Sequence, residues 1–317
     1  MSDENKASSD VILQSLASQL LKDRQADRRI RYLKYGLIAA SLLAALVLTS
    51  SKSENSTPAS ALPHVAVVRL SGAIGPGQDA SAENINPLLT EAFEDRTAKG
   101  VVLLVNSPGG TPVQAALIHD RIKALKAQYP SKKVVVVAED VMASGAYLVA
   151  VSADKIVVNR STVAGSIGVI IRSFGVSGLM DKLGVERRVL TAGENKNQLD
   201  VFSPMADAEK AEQLQMLTRV HSHFIDIVKE GRGDRLKQDT PGLFSGRVWT
   251  GDEAVRIGIA DELGDVYTVL KKDFGGAVMV EHAPSRSFLA GITKKFAVET
   301  AAGLSSAVDS PQVLLSR

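Results

Sequence analysis

Ser144 lies in Met142-Ala143-Ser144-Gly145-Ala146-Tyr147, a run of small residues directly after a valine-rich stretch. A serine exposed where a strand turns into a helix, with the Gly145 amide beside it, can supply a nucleophile and half of an oxyanion site. A serine at a helix start also serves as an N-cap, so spacing alone leaves both readings open. A second turn, Asn106-Ser107-Pro108-Gly109-Gly110, follows another apolar stretch. Paired glycines permit close backbone approach and leave amides free to face an anion, or they simply turn the chain into the next helix. A base is harder to find. The histidines are His64, His119, His221, His223 and His282. No motif sets any of them beside Ser144, and their scatter speaks against a histidine metal site. Lys196, in Gly193-Glu194-Asn195-Lys196-Asn197-Gln198, reads by itself as a solvated surface lysine. A lysine acts as a base only when neutral, and a reference pKa of ~10.4 leaves the ammonium dominant at neutral pH. Burial against apolar surface favours the neutral amine, provided the fold or an interface can absorb the cost.

These residues need a frame. VAVVRL (65–70), KGVVLLVN (99–106) and KKVVVVAED (132–140) are β-branched runs of strand length, with helical periodicity over 83–97 and 112–129 between them. Strands alternating with helices predict βαβ units and a mostly parallel sheet. Near-continuous valine runs fit strands buried on both faces. Further strands are expected at 155–158, 166–171 and 185–190, and a long helix at about 207–230. The stretch from about 266 is less regular, and 303–317 reads as a loose tail. The fold class is α/β in one domain, 64–302.

The chain of 317 residues is 45% apolar and 23% charged, too apolar for a disordered protein. A net charge of +2 excludes a generally basic nucleic-acid binder. The absence of cysteine removes disulfides, thiolate metal sites and cysteine nucleophiles. Tyr35 to Ser51 is an uncharged apolar run, at the short end of what spans a hydrocarbon core of ~30 Å. Lys22, Arg24, Arg28, Arg29, Arg31 and Lys34 precede it, against Asp23 and Asp27, whereas only Lys52 and Glu54 follow closely. The positive-inside bias therefore predicts a cytoplasmic N-terminal segment (1–34), a transmembrane signal anchor (35–51) and an extracytoplasmic remainder. The segment ahead of the run is longer than a cleavable signal peptide carries, which favours an uncleaved anchor. Ile12, Leu13, Leu16, Leu20 and Leu21 give 9–27 the spacing of a short amphipathic helix, and the polar, proline-containing 52–63 reads as a tether.

Five blocks, taken in order, resemble a known family: NSPGG (106–110), DVMASGAYLVAVSADKIVVN (140–159), TVAGSIGVI (162–170), AGENKNQLDVFSPM (192–205) and GRVWTGDEAVRIGIADELG (246–264). They are similar to the signal peptide peptidase A group of serine proteases (protease IV-like, peptidase family S49), within the ClpP/crotonase-like superfamily. The resemblance covers about 65–265 and matches the short, single-domain form. It implies a Ser–Lys dyad, with Ser144 as nucleophile, Lys196 as general base and Ser166 hydrogen-bonding and orienting the lysine. It assigns the oxyanion hole to the Gly109/Gly110 turn and the Gly145 amide. It further implies a homo-oligomer in which neighbouring copies complete the dyad, no metal and no cofactor. The implied partners are unstructured apolar peptides, remnant signal peptides above all, and the lipid bilayer. The implied location is the bacterial inner membrane, with the catalytic domain periplasmic. Glu194, just before Lys196, would oppose a neutral lysine if it faced the amine, and is expected to point away. Two other readings compete: an inactive membrane-tethered scaffold on the same fold, and a crotonase-type acyl-CoA enzyme, which an external domain disfavours. A ClpP-like Ser-His-Asp arrangement is disfavoured because no histidine follows Ser144 before His221.

Overall fold

The valine-rich segments pair as parallel strands whose side chains alternate between two buried faces. The structure, a computed structural model, describes residues 34–38, 41 and 62–283. Contacts divide the chain into two units, Met1–Ala59 and Ser60–Arg317. In the second unit β1 (His64–Ser71), α1 (Ala82–Glu94), β2 (Ala98–Ser107), α2 (Pro112–Gln128) and β3 (Lys133–Ala143) form two successive βαβ units. There follow α3 (Gly145–Ala150), β4 (Lys155–Val158), β5 (Val163–Gly165), α4 (Ser177–Leu183) and α5 (Asp207–Arg232). The described part ends with β6 (Val248–Thr250), α6 (Gly251–Ile257), β7 (Glu262–Leu263), α7 (Val266–Phe274) and β8 (Val278–His282).

The sheet order is β6-β5-β3-β2-β1-β8, with β4 between β3 and β7. All pairings are parallel except β5 with β6. The result is a mixed α/β sheet with flanking helices. Strand alternation sorts the core: Ala66, Val68, Val101, Leu103, Val134 and Val136 pack under α1, α2 and α3. Val65, Val67, Val102, Val135 and Val157 face the other way, against Val269, Leu270 and Phe274 of α7. Both faces are thus covered, as the valine runs required.

Three expectations need correction. Residues 166–171 form no strand: β5 ends at Gly165, because Gly165 (φ +99) and Ser166 (φ +54) turn the chain off the sheet. Residues 185–190 form no strand either, since no sheet edge pairs with them, and Leu190 is fully exposed. Residues 266–282 are regular, with α7 covering one sheet face and β8 forming an edge beside β1. Among the described residues no helix is long and apolar enough to cross a membrane. The amphipathic segment at 9–27 and the tail at 303–317 lie outside the described residues, as does most of the expected anchor at 35–51.

Candidate active site

β3 is the strand that carries the site. Its first half runs beside β4, and its last three residues, Val141, Met142 and Ala143, pair with β5 instead. Ser144 follows at once, with φ +54 and ψ −123, before α3 begins at Gly145. That backbone conformation is costly for a residue with a Cβ, of order 1–3 kcal/mol, and persists only where the surroundings enforce it. Here the Ser144 N–H donates to the Gly165 carbonyl (2.8 Å), and α3 is held by Tyr147, whose buried hydroxyl donates to the Ile259 carbonyl (3.0 Å). Burial pushes the Tyr147 phenol far above its ordinary value, so it stays a donor.

The Gly109-Gly110 turn lies against the same corner. A Cβ on Gly109 would come within 2.6 Å of the Gly145 nitrogen and 2.8 Å of the Ser144 Cβ. A Cβ on Gly110 would fall 1.8 Å from the Ile74 carbonyl oxygen. Ile74 braces this turn: its N–H donates to the Gly109 carbonyl, and its carbonyl accepts from Thr111, both at 2.9 Å. The three expected oxyanion donors are not equivalent. The Gly109 N–H donates to Ser107 Oγ (3.1 Å), inside the fold. Among the described residues the Gly110 and Gly145 N–H groups have no partner within the chain. Ser107, which the sequence reading passed over, decides this; its signal is a hydroxyl two residues before a glycine.

Ser166 also has φ +54, and its N–H donates to the Arg247 carbonyl (2.8 Å). It adjoins Gly165, the residue that accepts from Ser144. Lys196 is elsewhere: it is exposed, and among the described residues no hydrogen bond or ion pair engages its Nζ. No hydrogen bond joins it to Ser144 within the chain, and no ion pair joins it to Glu194. Its loop is nevertheless fixed. Asp200 accepts from Asn197 Nδ2 (3.0 Å), Ser203 Oγ (2.8 Å) and the Phe202 N–H (3.2 Å), and pairs with Arg187. The Arg187 guanidinium holds the Asp200 carboxyl well below the usual carboxylate range, against a smaller opposing push from burial. Arg187 also stacks over the Phe202 ring at 4.7 Å, and Glu209 at the start of α5 accepts from the Leu199 N–H. The positive-φ non-glycine residues among those described are Ser144, Ser166 and Leu199, one at each of the three candidate positions or three residues from it.

Residues 126–274 match the sequence model of Peptidase family S49. It is 34% identical over 199 residues to a putative protease of Methanocaldococcus jannaschii, covering 63% of each chain. It is 32% identical over 198 residues to a putative signal peptide peptidase SppA of Enterococcus faecium, covering 60% of this chain and 56% of that one. A Na(+)/H(+) antiporter NhaA of Brucella melitensis is 45% identical over 226 residues, 68% of this chain; the chain spans only 30% of that protein's length. Among solved structures, the 1510-N membrane-bound stomatin-specific protease aligns with a TM-score of 0.49 at 16% identity, over 71% of this chain and 99% of that one.

Proposed function

We propose that this chain is a serine endopeptidase on a ClpP/crotonase-like scaffold, anchored in the bacterial inner membrane by residues 35–51 with its catalytic domain periplasmic. Ser144 is the nucleophile, and Lys196 of a neighbouring copy is the general base. The observation that carries the reading is the corner at the end of β3, where a strained serine meets two unpartnered amides, Gly110 and Gly145. Neutral Lys196 takes the Ser144 proton, Ser144 attacks a peptide carbonyl, and the two amides hold the tetrahedral oxyanion. The leaving amine departs with a proton, and water then hydrolyses the acyl-enzyme. Gly109 contributes by having no side chain, and Ser166 orients the lysine.

Supply of the base from a second copy is supported by the exposed Lys196, whose Nζ makes no hydrogen bond or ion pair among the described residues, and by exposed apolar side chains in the segment that precedes it. Ile170, Phe174, Leu179, Leu183 and Leu190 are all exposed, and α4 buries none of its residues. A surface of that kind marks an interaction site. Covering it with another copy would also give the lysine the dry setting that the neutral amine needs. Exposed apolar surface of this kind suits unstructured apolar peptides, of which remnant signal peptides are one source.

Ser144→Ala and Lys196→Ala should each abolish peptide hydrolysis and leave the assembly intact. Mixed and reassembled, the two inactive variants should recover part of the activity, because some sites then combine an intact serine with an intact lysine. Full activity in either variant would remove the dyad. Inactive variants that fail to complement would place the lysine in the serine's own chain.

A further inference from the structure

We propose that His64, Asp95 and His282 form a site for a divalent transition metal of the zinc class, which clips the edge strand β8 to β1 and to the end of α1. The fold collects two of the histidines that look scattered in sequence. His64 opens β1, Asp95 follows α1 directly, and His282 ends β8. One ligand atom from each lies within 4.8 Å of the other two. Two imidazoles and a carboxylate suit zinc, cobalt or nickel better than magnesium or calcium, which prefer all-oxygen shells.

The hydrogen bonding around the trio is that of a metal site with its outer layer in place. His64 is fully buried, and its Nδ1 faces the Leu62 carbonyl at 3.0 Å and Thr97 Oγ1 at 3.4 Å, the carbonyl contact being met by an Nδ1–H. In the neutral Nδ1–H ring, Nε2 is the free ligand atom, and it stands 3.0 Å from Asp95 Oδ2. A lone pair facing a carboxylate at that distance is relieved either by a proton on Nε2, which makes an ion pair, or by a metal cation between the two. The contact does not qualify as a hydrogen bond, and the Nε2 atoms of both His64 and His282 are buried without a partner. Two donors each about 2.1 Å from one zinc, at the tetrahedral angle, stand about 3.4 Å apart, close to the observed separation. Asp95 is arranged to match: Oδ1 accepts from the Thr97 N–H (2.8 Å) and Oγ1 (2.6 Å), which leaves Oδ2 facing the histidines. Glu91 lies 3.9 Å from His282 Nδ1, on the side of that ring away from its unpartnered nitrogen.

The site is structural rather than catalytic. His64 is at the amino end of β1, and Ser144 follows the carboxyl end of the parallel strand β3, so the two lie at opposite ends of the sheet. The clip ties down β8, an edge strand with one neighbour.

The test uses the full, tag-free chain, stripped with a chelator and titrated with Zn²⁺ by calorimetry, with metal analysis of the product. One zinc per chain is expected, not displaced by millimolar Mg²⁺ or Ca²⁺, with a rise in Tm on loading. His282→Ala and Asp95→Asn should each weaken binding about 30-fold or more and abolish the Tm rise, whereas His223→Ala, on exposed α5 surface, should bind like the parent. Because His64 is fully buried and His64→Gln can fail to fold, the decision rests on the other two variants. Absence of zinc uptake, or uptake that survives both His282→Ala and Asp95→Asn, overturns the site and leaves the trio as an ion pair. Neither outcome bears on peptide hydrolysis at Ser144.

Discussion

A methyl group at Gly109 would meet the Gly145 nitrogen and the Ser144 Cβ at under 3 Å, and it would have to adopt φ +91 as well. Gly109→Ala therefore pushes on the nucleophile and on one proposed oxyanion donor together. Displacement of a reacting group by about 1 Å can cost on the order of 100-fold, so kcat/KM should fall by about that factor. Labelling of Ser144 by a serine-reactive acylating probe should slow in step; unchanged labelling would show that the corner tolerates the methyl. Much of this corner was legible in the sequence. Small residues around Ser144 and a glycine pair after a strand point to close backbone approach whatever the fold. What was not legible is the division of labour among the glycines. The Gly109 amide turns inward because Ser107 Oγ is there to receive it, and that depends on a side-chain rotation no spacing encodes.

Elements were legible where they make their own pattern. The valine runs and the amphipathic stretches between them gave β1 to β3, α1, α2 and α5 to within a few residues. Residues 185–190 carry Val185, Val189 and Leu190, but β-propensity measures fit to a pleated, half-buried surface, and among the described residues no strand pairs with them. Helix α7 is only nine residues long and is followed by Gly275 and Gly276, so it offers few turns to read in sequence, although its apolar face covers one side of the sheet. The Lys196 loop belongs to neither case, being held by side chains rather than by backbone ladders. Its pin is Asp200, and Asp200→Asn removes the charge that Arg187 pairs with. Added protease should then cut within 185–206 several-fold faster, and peptide hydrolysis should fall about tenfold, with the melting temperature of the sheet domain unchanged. An unaltered cutting rate would mean that Glu209 and the Arg187–Phe202 stack suffice. Because the Asp200 carboxyl is held below its ordinary range, its clamp is fully present above the unfolded carboxylate pKa. It is lost only as pH falls through the strongly depressed folded value, so the loop should stay closed in mild acid.

Across the whole domain, the amino end of the central strands, opposite the end that carries Ser144, is locked to the helices by a buried arginine. Arg232, at the end of α5, is 1% exposed and forms two hydrogen bonds to Asp261 (2.7 and 2.9 Å) and one to the Gly258 carbonyl (2.9 Å). Asp261 in turn accepts from the Ile156 N–H at the start of β4 (2.7 Å). The pair thus joins α5, the turn after α6, and the strand beside β3. Burial acts to raise the Asp261 pKa, but the Arg232 hydrogen bonds and charge outweigh it and hold the carboxyl below its ordinary value. A carboxylate with a depressed folded pKa contributes stability above its unfolded pKa and loses it as pH falls through the folded one. Acid unfolding of the domain should therefore include a proton taken up by Asp261. Arg232→Ala leaves that half-buried carboxylate with only the more exposed Arg235 beside it (3.3 Å), so the loss should fall at or below the lower end of the ~3–5 kcal/mol seen for broken buried pairs. Arg232→Met with Asp261→Leu removes both charges and should recover most of it, since replacing a buried pair by apolar groups is often neutral. Urea unfolding of the three proteins at neutral pH decides the matter. If the double variant is no more stable than Arg232→Ala, the lost packing and the Gly258 and Ile156 hydrogen bonds, rather than the unmatched charge, hold this end of the sheet in place.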